Sequence, residues 1–113
     1  MFRTCNRLGL ARDKCAGWNI CPFPTEGKNP SRAELERARP YTMRVLELLP
    51  KLTVVLLLGN PAQKGWESRF LRRRPDVEVI LGASPSPPGI NQKRNREDFE
   101  SAIRRAVSVV ERT

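Results

Sequence analysis

Apolar positions recur with two different periods along this chain, and the changes of period mark its predicted elements. In residues 31–49, Leu35, Ala38, Thr42, Val45, Leu46 and Leu49 follow helical spacing. Ser31 and Glu34 stand three residues apart at the head of that stretch, a capping box in which each side chain can satisfy one backbone N–H at the helix start. A helix is predicted over residues 31–49, kinked at Pro40, which has no N–H to give. Near the other end, Phe99, Ile103, Ala106, Val107 and Val110 fall on one face of a final helix. Residues 1–10, with Phe2, Leu8 and Leu10 among polar neighbours, read as the last turns of a further helix whose start is absent.

Between these segments the pattern becomes continuous. Residues 53–58 are a β-branched and leucine run, as expected of a strand buried on both faces of a parallel sheet. Gly59-Asn60-Pro61 ends it, with Asn60 as N-cap and Pro61 at the first helical position of a helix carrying Ala62, Trp66 and Phe70. Residues 77–81 form a second strand, followed by a Pro-, Ser- and Gly-rich loop over residues 82–95. The mostly apolar residues 15–20, closed by Pro22 and Pro24, read as a third strand with Asn19 near its C-terminal end. Alternating strands and helices predict an α/β fold built on an open parallel sheet, as one domain over residues 1–113. In such sheets ligands bind beyond the carboxyl ends of the strands. Asn19, Gly59-Asn60 and residues 83–86 should therefore converge on one side, whereas Asp13, Asp76 and Asp98 fall outside those loops.

Charge and composition narrow the chemistry. Lysine and arginine number 21 against 12 acidic residues, a formal charge of +9, which favours a polyanionic partner although it also fits a merely solvated basic surface. The chain has no histidine, so catalytic imidazole chemistry and His-ligated metals are excluded within it. Cys5, Cys15 and Cys21 form no CxxC pair, so neither a zinc site nor a disulfide framework is indicated. No apolar run approaches the roughly 20 residues of a membrane helix. A soluble, intracellular protein is expected.

Singly, an Asn after a strand is a turn residue, Gly-Asn-Pro a strand-to-helix turn, and a Pro-Ser loop a spacer. Together and in this order they resemble the uracil-DNA glycosylase superfamily over nearly the whole chain. Trp18-Asn19 before a proline-containing loop is similar to that family's base-reading strand end, which makes Asn19 the candidate reader of a pyrimidine edge. Residues 54–64, from the Val-Val-Leu-Leu-Leu run through Gly59-Asn60-Pro61 to Ala62-Gln63-Lys64, resemble the family's hydrophobic strand, phosphate loop and helix start. Backbone N–H groups at Asn60 would there meet a DNA phosphate. Ser84-Pro85-Ser86-Pro87 resembles the family's His-Pro-Ser-Pro loop, with Ser84 at the usual His position. The continuation to Asn91 resembles the mismatch-specific branch, with Ile90 as the wedge that enters the base stack and Pro88 as second choice. Lys93, Arg94 and Arg96 either track the backbone or are solvated, and Trp18 and Trp66 are expected to pack rather than stack on bases.

The resemblance implies a three-layer αβα sheet of the uracil-DNA glycosylase type, lacking the first strand and loop, which carry the water-positioning residue and would lie upstream of Met1. It implies DNA binding through Gly59, Asn60, Ser84, Ser86 and Ile90, recognition of a flipped uracil-type base by Asn19, and N-glycosidic hydrolysis as the family reaction. The alternative is a catalytically inactive module that binds DNA or uracil, because a serine hydroxyl at position 84 stabilises a leaving-group anion less well than histidine. The catalytic residues are unassigned. The iron-sulfur branch has cysteines where this chain has Phe23 and Ala38, so no cluster, metal or cofactor is expected. A monomer in the cytoplasm or nucleoid, or in a eukaryotic nucleus, completes the expectation.

Overall fold

The computed structural model describes residues 2–86 and 89–112. Pro87 and Pro88, the second wedge candidate, lie outside the described residues. The elements in chain order are α1 (Phe2–Arg7), a 3-10 turn at Arg12–Lys14, α2 (Arg32–Glu47), β1 (Val54–Leu58), α3 (Asn60–Gly65), a 3-10 turn at Ser68–Leu71, β2 (Glu78–Gly82), a 3-10 turn at Gly89–Asn91, and α4 (Lys93–Glu111). The fold is α/β. Its strands pair in parallel, with Val54 opposite Glu78 and Leu58 opposite Gly82.

The capping box opens α2 as the sequence requires: the Ser31 hydroxyl accepts from Glu34 N at 3.1 Å, and Glu34 Oε1 accepts from Ser31 N at 2.8 Å. Those bonds hold the Glu34 carboxyl below the usual glutamate range. The helix runs through Pro40. Its C-terminal carbonyls are then gathered by Arg74, whose guanidinium donates to Leu46 O at 2.8 Å and Leu49 O at 2.6 Å. Favourable charge at a helix C-terminus reinforces these bonds.

The apolar stripe of α4 organises the sheet. Phe99, Ala102, Ile103, Ala106, Val107 and Val109 are buried along it. Ala102, Ala106 and Val109 pack on Ile80, Val54 and Leu56, while Phe99, Ile103 and Val107 meet Cys5 and Leu10 with Leu56 and Leu58 at their margin. Arg7 pairs with Glu100 and so fastens α1 to α4, and that bond holds the Glu100 carboxyl below its ordinary range. A separate cluster joins Ile20 and Cys21 to Leu35 and Ala38 of α2.

Several expectations are corrected. Residues 15–20 do not form a strand. Asn19 Oδ1 accepts from Cys21 N at 3.0 Å, an Asx turn, and Trp18 Nε1 donates to Thr42 Oγ1 at 3.1 Å, so the segment is drawn toward α2 instead of into the sheet. The sheet has two strands among the described residues, not three. Consequently β1 is not buried on both faces: Leu57 alone is buried and its neighbours are half-buried. The predicted single helix after β1 breaks at Gly65, then a 3-10 turn carries Phe70. Gly65 stands so close to α2 that an added Cβ would lie 2.6 Å from Ile20 Cγ1 and 2.9 Å from Leu35 Cδ2. Trp66 packs edge-on against Phe70, but Trp18 is 47% exposed, against the expectation that it packs. No helix among the described residues is long and apolar enough to cross a membrane.

β2 and α4 approach closely at Gly82, where a Cβ would fall 2.7 Å from Ala102 Cβ and 3.0 Å from Leu58 Cδ2. Gly82→Ala is therefore expected to destabilise the protein by about 1–3 kcal/mol through overpacking. Gly27→Ala, where the nearest atom would be 3.6 Å away, serves as the control. Urea unfolding measures both, and equal midpoints for the two variants would contradict this packing.

Candidate functional site

The carboxyl ends of β1 and β2 are stitched together by a small number of polar contacts. Gly59 leaves β1 at φ +92°, a conformation that favours glycine, and directs the chain into α3. It is also the N-cap, correcting the assignment of that position to Asn60, which is the first helical residue. Gly59 N donates to Gly82 O at 2.9 Å and Gly59 O accepts from Gln63 N at 3.2 Å. The Gln63 side-chain amide then donates to both Leu57 O and Gly82 O at 3.2 Å, clamping the two strand ends.

The second loop rests directly on this turn. A Cβ at Gly59 would meet Ser84 Cβ at 3.0 Å, so a side chain there would push Ser84 back by a few tenths of an ångström. Ser84 Oγ accepts from Ser86 N at 3.1 Å, and Ser86 O accepts from Ile90 N at 3.3 Å. Asn95, in the first turn of α4, closes the loop by donating to Gly89 O at 2.9 Å. The result is a hollow of about 480 Å³ lined by Gly59, Asn60, Gln63, Ser84, Gly89, Asn95 and Asp98 among others. Pro61 contributes no N–H, so the donors that the start of α3 can present are the N–H groups of Asn60 and Ala62.

Gly59, Asn60 and Ser84 are thus brought together as expected. Ser86 is exposed and, with Ser84, also lines a separate cleft that reaches Trp18 and Ile20. Asn19 is exposed and lies among the lining residues of neither hollow. Ile90 is half-buried against the Phe99, Ile103 and Val107 cluster. Asp98 corrects the sequence reading, because it lines the hollow beside Asn60 and Ser84. Gln63 and Asn95 were not singled out. Gln63 lies one helical turn beyond Gly59, the one signal that could have indicated its reach back to the strand ends.

Lys93, Arg94 and Arg96 are exposed at the start of α4, on the side of this hollow, and Lys93 lies 3.9 Å from Glu97. The run Arg72–Arg74 precedes β2 and so belongs to the opposite end of the sheet. Among the described residues no group of three His, Cys, Asp or Glu side chains gathers as a metal site. Cys5 and Cys21 are buried in different core clusters.

The family model of the uracil DNA glycosylase superfamily matches residues 1–107. No curated protein and no solved structure matches the chain.

Gly59→Ala tests how this site is held. The left-handed backbone costs a residue with a Cβ about 1–2 kcal/mol, and the contact with Ser84 adds to it. Thermal unfolding should show that loss, and the amide signals of Ser84 and Ser86 should shift with it. Unchanged stability and unchanged signals would refute the close approach of the two loops.

Proposed function

Because the chain belongs to the uracil-DNA glycosylase superfamily, we propose that it binds DNA and recognises a flipped uracil-type base, with hydrolysis of the N-glycosidic bond as the family's reaction. The observation that carries this reading is the coincidence of that match with the meeting of Gly59, Asn60 and Ser84 at the carboxyl ends of two parallel strands. The complete fold is read as the open three-layer αβα sheet of that family.

In this reading the N–H groups of Asn60 and Ala62, with the hydroxyls of Ser84 and Ser86, hold DNA phosphates, and Lys93, Arg94 and Arg96 extend the electrostatic grip. Asn19 reads the base. Its Oδ1 already accepts from Cys21 N, which orients the amide while leaving a second lone pair and the NH₂ group for a pyrimidine edge. Ile90 serves as wedge only if the turn at Gly89–Asn91 lifts it from the core cluster it now packs against. Asp98, an anion at the rim of the hollow, opposes phosphate there and limits how deeply the backbone can sit.

Hydrolysis requires water to attack the sugar carbon while the base leaves with the bonding electrons, so the departing anion must be stabilised. The chain has no histidine for that task, and Ser84 offers at the corresponding position only a neutral hydroxyl, a weaker stabiliser of a departing anion. These two facts favour a second reading in which the same loops bind DNA without cleaving it. Release of uracil from a single-stranded oligonucleotide separates the readings, with turnover supporting the enzyme and its absence under tight binding supporting the module.

DNA affinity is expected to fall steeply as salt rises. Ser86→Ala should weaken uracil-containing and normal DNA alike, by about tenfold for one charge-assisted hydrogen bond of roughly 1.5 kcal/mol. Asn19→Ala should remove any preference for uracil and leave general affinity intact, because base contacts specify where phosphate contacts position. Fluorescence anisotropy at two salt concentrations measures all three effects. Salt-independent affinity, or an equal loss on both DNAs from Asn19→Ala, would overturn the assignments.

A further inference from the structure

The Arg72-Arg73-Arg74 run has no part in the loops at the carboxyl ends of the strands. β2 is five residues long and puts roughly 17 Å between that run and the Gly59–Ser84 contact. Between the run and α2 lies a groove of about 820 Å³. Its α2 wall is a single helix face, because Glu36, Pro40, Met43 and Glu47 recur at steps of four, three and four residues. Met43 is 37% exposed, and both glutamates are already paired, Glu36 with Arg32 at 3.4 Å and Glu47 with Arg44 at 3.0 Å. The facing wall is basic. Arg69 shares Glu67 with Arg39. Arg74 is committed to Leu46 O and Leu49 O, which ties the run to the end of α2. Arg72 and Arg73 line the groove, are exposed, and have no acidic partner among the described residues.

We propose that this groove docks an acidic segment of a partner protein that also carries apolar residues, with its carboxylates on Arg72 and Arg73 and its apolar side chains on Pro40 and Met43. The proposal goes beyond the DNA reading and does not depend on it. The two walls select for different chemistry. One offers guanidinium forks, which match carboxylates in two-point geometry. The other offers an uncharged ring and a thioether that adapts to irregular apolar partners. A peptide presents both kinds of group at the spacing of its residues. A nucleic-acid strand does not, because its evenly charged backbone laid along the groove would meet Glu36 and Glu47 on the α2 wall and set charge against Met43. The bonds from Arg74 hold the turn in place, so the backbone that carries Arg72 and Arg73 is ordered before a partner arrives, which lowers the cost of binding. Left alone, the adjacent guanidiniums repel each other, and a carboxylate-bearing segment relieves that repulsion.

The test measures the anisotropy of two fluorescein-labelled peptides on the full chain, one of repeated Glu-Glu-Leu-Leu units and one of repeated Glu-Glu-Ser-Ser units. The leucine peptide should bind, and the serine peptide should bind about tenfold more weakly or worse for want of apolar contact. Arg72→Ser combined with Arg73→Ser should weaken the leucine peptide by about tenfold. Lys28→Ser combined with Arg105→Ser removes the same charge from exposed positions elsewhere and should leave its affinity nearly unchanged. Met43→Ser should lower affinity for the leucine peptide only. Single-stranded DNA should not distinguish the two double variants. No binding of the leucine peptide, equal affinity for the two peptides, or equal losses from the two double variants would overturn the proposal and reduce the groove to a solvated basic surface. A loss of DNA affinity specific to the Arg72 and Arg73 variant would overturn it in favour of a nucleic-acid surface.

Discussion

The contact between the apolar stripe of α4 and the paired strands is the constraint on which the remaining structure depends. Ile80 of β2 and Ile103 of α4 are among the most completely buried side chains, at 2% and 0% exposure. Their packing requires the helix to approach Gly82 more closely than any side chain would allow. The consequence reaches the loops. With Gly82 pressed against Ala102, the carboxyl end of β2 is fixed beside that of β1, and Gly59 and Ser84 are brought into direct contact. Asn95, near the start of the same helix, then holds the far end of the serine loop through Gly89. One helix supports both the core and the frame of the candidate DNA site.

That frame is made largely of backbone. Gln63 bonds to carbonyls of both strand ends, Gly59 bonds across to Gly82, and Ser84 accepts from Ser86 N. Such an arrangement suits the binding of phosphate, which needs donors in fixed positions more than it needs titrating side chains. It suits chemistry on a base less well, because the chain contains no histidine and Ser84 supplies only a neutral hydroxyl. The same sheet is secured on the α4 side, while Val54, Val55, Leu56 and Leu58 are half-buried and β1 pairs, among the described residues, with β2 alone.

Much of this was legible in the residues. The capping box at Ser31 and Glu34, the apolar face of the last helix and the order of β1, α3 and β2 were readable because each rests on local periodicity or local hydrogen bonding. The failures came where a neighbour decides the outcome. Residues 15–20 have strand-like composition, but a strand needs a partner edge, and the Asx turn of Asn19 and the bond from Trp18 to Thr42 commit them elsewhere. The helix after β1 was predicted too long because the crowding at Gly65 by Ile20 and Leu35 cannot be seen in a local pattern. At the site, Gly59, Asn60 and Ser84 could be placed from topology alone. Asp98 could not, since its approach depends on where α4 begins relative to the loop.

The central claim is that DNA meets the protein at the carboxyl ends of β1 and β2. Two-dimensional amide spectra recorded during titration with a uracil-containing single-stranded oligonucleotide test it most directly. The account predicts that Gly59, Asn60, Ala62, Ser84 and Ser86 shift together and saturate at one concentration, while the amides of Arg72 and Arg73 at the opposite end of the sheet stay in place. Shifts confined to the Arg72–Arg74 turn, with the Gly59 and Ser84 loops unperturbed, would contradict it.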